Sequence, residues 1–475
     1  MARFTITVFI LAALLLGSCT KDSTPVNTGD IDYDTVTDIS YATHVQTILN
    51  EYATILQAAG LFPEGLVMDS WQNLIRGWKH GEVLIPYDAE NSLLIELTAK
   101  QNYANPLRAD KLGLLRRWID AGAKNDAGEV PYANSTDLLF VCSQGEAIVN
   151  VIETNAKLVV RNIHLTDYGI PALAKPHHIE FSPDGQYWYV SCIDNSVNKI
   201  LKFTTGTYEL MGEATTDIPA LLAHHPTENI LYVSRFMQDN NLNSIYALNT
   251  ETMQPIDNGN DGDILLPGVL SVPHAMTIDH TGNYAYTASF TEDAFVVINN
   301  ATKEFEEAIP LGLDKTPLQG TVSPDNRKVY LSCIGTGEIA VIDISDPANR
   351  SLEGFITVGG APWHSVFNGS GSKFYVANFM MNKFSVIDVA GATVQTYGAG
   401  DGSDGLSQPH GIAISHDNNY VFIASRNTSG GYVPAFDFGD NALIGTVTVI
   451  NTASNAVEKV IEIENFGSGM RLLPQ

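Results

Sequence analysis

The sequence predicts a mainly β chain, a seven-bladed propeller preceded by a small all-α domain. Three observations carry that reading. A unit of proline, strand, tight turn and strand recurs from "KPHHIEFSPDGQYWYVSC" (175–192) to "QPHGIAISHDNNYVFIAS" (408–425). Its spacing of about 45 residues is the length of a four-stranded blade. Ahead of it, residues 41–125 place apolar side chains at helical rather than alternating spacing.

The first element is an export signal. Arg3 precedes the apolar run "FTITVFILAALLLGSC", which is too short for a membrane span but suits a signal peptide over 1–19. Leu16-Gly17-Ser18-Cys19 resembles a bacterial lipobox. That resemblance implies lipidation at Cys19 and an outer-membrane lipoprotein, facing the cell surface or the periplasm. Lys21-Asp22 resembles a Bacteroidetes surface-export tag, and residues 20–40 read as a polar tether.

The helical segment comes next. Val45, Ile48, Leu49, Tyr52, Ile55 and Leu56 share one helical face. A second helix is expected within 89–98. A third runs from Asp110 as N-cap, through Leu115 and Trp118, to Gly122 as C-cap. Residues 40–123 resemble the small cytochrome c-type domain of planctomycete and Bacteroidetes surface proteins. That family carries Cys-x-x-Cys-His after its first helix, where this chain reads Asn50-Glu51-Tyr52-Ala53-Thr54-Ile55-Leu56. Covalent attachment needs two thiols and an axial imidazole. The family's axial methionine is also missing from "NYANPLRADKL". The resemblance therefore implies the fold without covalent haem, with bulky side chains filling the porphyrin volume. His44 and His80 read as surface or capping histidines.

From residue 133 the repeat takes over. Each unit closes a hairpin on Pro, Asp, Gly or Asn, and its second strand ends near Tyr-Val-Ser. Third strands follow, as in "GEIAVIDIS", and Asp343, Asp388 and Asn451 suit the turn into a fourth. Residues 133–475 resemble the YVTN-repeat, YncE-like family of seven-bladed propellers. Residues 137–163 supply three strands with no inner strand, and 466–475 look like an inner strand with no blade. Pairing the two closes the ring and removes exposed sheet edges.

Candidate chemistry lies where the inner strands begin. The positions after the blade-opening prolines include His177, His178, His274, Trp363, His364 and His410. Register across the hairpins is expected to bring Cys192 to the same end, with Cys333 equivalent in its own blade. The six mouth residues are expected to contact a ligand or to serve the repeat structurally, and the alternative is a transition metal, copper foremost, with His177, His274, His410 and Cys192 as its donor set. The stretches 257–268, 398–405 and 426–445 are expected on that face, as binding loops. Asp257, Asp261 and Asp263 read as a solvated acidic turn. His224, His225, His280 and His416 fall at the opposite, hairpin face, expected to leave little room for a pocket.

The net charge of −27 excludes nucleic acid as a partner and leaves the lipid anchor as the membrane contact. No phosphate-binding glycine loop and no Gly-x-Ser-x-Gly elbow is present. The leading expectation is a non-catalytic binding or scaffold lipoprotein presenting a propeller face to a protein, glycan or small ligand. The alternative is a redox or copper protein of an electron-transfer system, related to nitrous oxide reductase-like and cytochrome c-like proteins.

Overall fold

Every repeat forms four antiparallel strands because its apolar positions alternate along strands that are buried on both faces. Blade two is representative: Pro176–Phe181, Tyr187–Cys192, Lys199–Thr204 and Leu210–Thr215 pair in chain order. Trp188, Val190 and Cys192 pack against blade one, beside Phe140 and Cys142. Tyr189 faces blade three, beside Leu222 and Val233. The computed structural model describes residues 31–99, 106–235, 243–266, 268, 271–436 and 443–475. They hold seven sheets in a ring, six of four strands and one, blade three, of five because its outer strand is in two pieces.

The last strand completes the first blade. Gly467–Leu472 pairs with Leu138–Ser143, with Leu139 opposite Leu472 and Val141 opposite Met470. Two glycines allow the close approach. A Cβ on Gly411 would lie 2.1 Å from the Ser468 carbonyl oxygen, and one on Gly469 would lie 2.2 Å from that of His177. The serine of the Tyr-Val-Ser pattern ties blade to blade. Ser191 Oγ donates to the Ala220 carbonyl (2.8 Å), and Ser234 Oγ to that of His274 (2.5 Å). Asp343 and Asn451 hold their turns by accepting from the Ser345 and Ala453 amides.

The helical segment packs around its own core. Helix Gln46–Ala59 ends at Gly60, whose φ of +70° suits a glycine cap. Tyr52, Leu56, Leu74 and Trp118 fill the interior. Tyr52 Oη donates to the Leu94 carbonyl, and Trp71 Nε1 to that of Ala123. His44 Nδ1 accepts the Ser40 amide, while the His80 ring lies 4.9 Å from that of Trp78. The later helices are Leu93–Ala99 and Ala109–Asp120. Asp110 is not the N-cap: the N-cap is Arg108, two residues earlier, so Asp110 sits inside the first turn and binds Arg108. The helix ends at Asp120, with Ala121 rather than Gly122 as its C-cap. The segment docks between blades one and seven. Glu82 accepts the Val159 amide, Asp88 binds Asn162 and His164, and Phe436 stacks near Trp78.

One loop lies elsewhere than its length suggests. Gln254–Pro255 and Asp263–Leu265 both pair with Ser244–Asn249, so residues 256–262 bulge from the outer edge of blade three. They are not a connection on the histidine face. Asp263, the first strand residue after that bulge, pairs with Arg235. Residues 1–30, including Cys19 and most of the tether, and 437–442 of the 426–445 loop lie outside the described residues.

Candidate functional site

The histidines after the prolines do converge, for a reason of register. Pro176 pairs with Cys192 and His178 with Ser191, so His177 is an extra residue in a bulge that turns it toward the axis. The same shift recurs at His274. The His177 ring lies 5.9 Å from His274 and 5.8 Å from His410. His364 lies 4.7 Å from His410 and 6.3 Å from His178. His274 Nδ1 donates to the Leu318 carbonyl, and His178 Nδ1 accepts the Leu222 amide. Burial pushes His274 down to about 4 and His364 to about 3, and it lowers His177, His178 and His410 well below the usual histidine range. All five are neutral at pH 7.

The same bulge moves the thiols away. Cys192 points into the packing between blades one and two, not toward the axis. Cys333 lies in the equivalent packing between blades four and five. Burial pushes both thiols up to about 12, so neither offers a thiolate. The expected His–Cys donor set is therefore not assembled. Among the described residues, no group of three or more His, Cys, Asp or Glu is placed to hold a metal ion.

The channel opens at the opposite end from the one expected. A cavity of about 760 Å³ occupies the axis, with His178 and His364 at its inner end. Its outer rim is the ring of hairpin turns, with Pro183, Pro226, Pro324, Asn418 and Pro474. His224, His280 and His416 lie along this outer part. His225 is held outside it, against the Gly282 carbonyl. The histidine cluster is thus the plug of the channel rather than its mouth. Trp363, partly buried, covers it from the strand-start side, 5.5 Å from the His410 ring.

Two residues of the wall were missed in the sequence. Among the seven inner strands, PHHIEF, PALLAH, PHAMTI, PLQGTV, PWHSVF, PHGIAI and GSGMRL, the charged residues are Glu180 and Arg471 alone. They meet on the wall, with Arg471 Nε 3.2 Å from Glu180 Oε1. Burial raises the Glu180 carboxyl, and Arg471 only partly offsets this. Arg471 remains half exposed to the channel. Gln319, Thr321 and Ser365, linked by hydrogen bonds, add polar groups on the far side.

The sequence profile described as "Lactonase, 7-bladed beta-propeller" matches residues 200–455, more than half of the chain. The chain belongs to this propeller family. Among curated relatives it is similar to Antigen Lp49 of Leptospira interrogans, with 22% identity over 227 residues. That match covers 43% of this chain and 46% of the antigen, so it spans about half of that relative's length. Among solved structures, a proposed 6-phosphogluconolactonase from Bacteroides fragilis superposes with a TM-score of 0.53 at 14% identity, over 72% of this chain and 99% of that one. The dihydro-heme d1 dehydrogenase NirN, in complex with DHE, reaches a TM-score of 0.50 at 13% identity, over 83% and 94%. At these identities the structural likenesses show the fold alone.

Proposed function

We propose that the protein is an exported lipoprotein whose propeller binds a small polar acid in the axial channel, entering from the hairpin face. The observation that carries this is the Glu180–Arg471 pair. A ring of seven apolar inner strands places its two charges together on the wall of its cavity. Arg471 offers a guanidinium for a ligand carboxylate or phosphate, and Glu180 and Gln319 offer acceptors for hydroxyls. A hydroxy acid of sugar size fits a cavity of this volume. Lipidation at Cys19 would hold the protein at the outer membrane. The cytochrome c-like segment, without Cys-x-x-Cys-His, would serve as a docking element against blades one and seven rather than as an electron carrier.

A second reading is lactone hydrolysis, favoured by the family and by the raised Glu180. Glu180 as carboxylate would take a proton from water as the oxygen adds to the lactone carbonyl. Arg471 would stabilise the oxyanion, and the ring oxygen would leave and take up the proton. Calorimetric titration with gluconate and 6-phosphogluconate, beside an assay of glucono-1,5-lactone opening, tests both readings. Binding that weakens in Arg471→Gln, without accelerated lactone opening, supports the binding protein. Lactone opening lost in Glu180→Gln supports the enzyme. Fractionation of Cys19→Ala tests the anchor, which should leave the variant soluble.

A further inference from the structure

We infer that the strand-start end of the channel, beyond the histidine plug, is a binding site for a small monovalent anion held by Arg426, Trp363, His410 and His364. Arg426 follows the second strand of blade seven and lies against three rings: its guanidinium is 5.0 Å from Trp363, 5.1 Å from Phe379 and 4.6 Å from Phe466. An arginine stays protonated in such a place. Ring faces attract it but supply no counter-charge, and among the described residues no carboxylate pairs with it. Its Nε–H is buried without an acceptor. Beside it, Trp363 Nε1, His364 Nε2 and both ring nitrogens of His410 are also buried without partners, and His410 is fully enclosed.

These groups share one chemistry. Arginine and indole N–H groups only donate, and neutral His410 brings a further N–H. A buried cation and orphaned donors are each costly. One acceptor-only ligand of charge −1 supplies the missing counter-charge and accepts the Arg426, Trp363 and imidazole N–H groups, leaving only the lone-pair nitrogen of His410 without a partner. A halide and a carboxylate head both have this chemistry. This end is separated from the hairpin-face cavity by the His178 and His364 rings, and His364 is the group that borders both sites.

The test uses the purified full chain, titrated with sodium bromide in one arm and sodium formate in the other. Sodium methanesulfonate keeps the ionic strength constant. The expected result is a saturating rise in Tm of about 3 °C or more, absent in Arg426→Gln and Trp363→Phe. A rise with bromide alone assigns a halide, a rise with formate alone assigns a carboxylate, and a rise in both arms assigns a site that takes any small monovalent anion. No rise in either arm, or a rise that both variants retain, overturns the proposal. Should a variant fail to fold, anomalous scattering from wild-type crystals grown in bromide decides. A peak beside Trp363 Nε1 or Arg426 supports the site. Its absence there, with no formate density in matching crystals, overturns it.

Discussion

Gly469 lies against the carbonyl of His177, so close that a Cβ would come within 2.2 Å of the oxygen. The contact joins the last strand of the chain to the inner strand of blade two. It makes closure of the ring a steric condition as well as a hydrogen-bonding one. Gly469→Ala should therefore destabilise the protein by about 2–3 kcal/mol, through overpacking against backbone that has no room to yield. Urea denaturation with an unchanged m-value would measure it. A variant as stable as wild type would show that the seam is loose.

Deleting residues 466–475 removes the strand paired with Leu138–Ser143 and uncovers a sheet edge. The truncated chain should aggregate or lose most of its cooperative unfolding. Light scattering and calorimetry against the full chain check this.

The five neutral histidines make stability fall in acid. Their folded pKa values lie below the unfolded value, so the unfolded chain binds more protons. Stability is full above about pH 6.5 and falls as pH drops toward the folded values, about 4 for His274 and about 3 for His364. Buried Glu82 and Glu464, both raised to about 7, oppose this trend, because they favour the folded state in acid. A comparison of variants isolates the histidine contribution. Between pH 7 and pH 5, wild type should lose about 2 kcal/mol more than His364→Gln, since each tenfold change in proton affinity is worth about 1.4 kcal/mol. Parallel stability curves for the two proteins would contradict the assignment of His364 as a buried neutral group.

The helical segment should carry no covalent haem. Its interior is occupied by Tyr52, Leu56 and Trp118, and residues 50–56 have neither thiol nor imidazole. Protein expressed with a haem-attachment system should show no Soret band after denaturation and acid-acetone extraction.

The blades were legible in the sequence because proline, hairpin and Tyr-Val-Ser mark the same three places in each repeat. The missing inner strand of blade one was legible for the same reason, as a deficit in the repeat. Direction along the channel was not legible. The bulge after each proline turns His177 inward and sends Cys192 between blades, a shift of one residue that periodicity does not record. Channel width is also a property of seven strands at once, so the open end could not be read from any single repeat. Arg426 and Arg471 do hold repeated positions, but their residue type breaks the repeat: Arg426 stands where other blades have Ile193, Phe290, Ile334 and Phe379, and Arg471 where they have Ala223, Thr277, Thr321, Val366 and Ala413. The signal that could have found Arg471 and Glu180 is their status as the only charges in the inner strands.

The central claim is that ligand enters from the hairpin face and meets Glu180 and Arg471. Calorimetric titration of gluconate into wild type, Arg471→Gln, Glu180→Gln and His274→Ala tests it most directly. The account predicts saturable binding to wild type and at least about a tenfold loss in Arg471→Gln, the size of one charge-assisted hydrogen bond. Glu180→Gln should bind more weakly, and folded His274→Ala should bind as wild type does. Undiminished binding in the Arg471 and Glu180 variants, with loss in His274→Ala, would place the site at the histidine end and contradict the account.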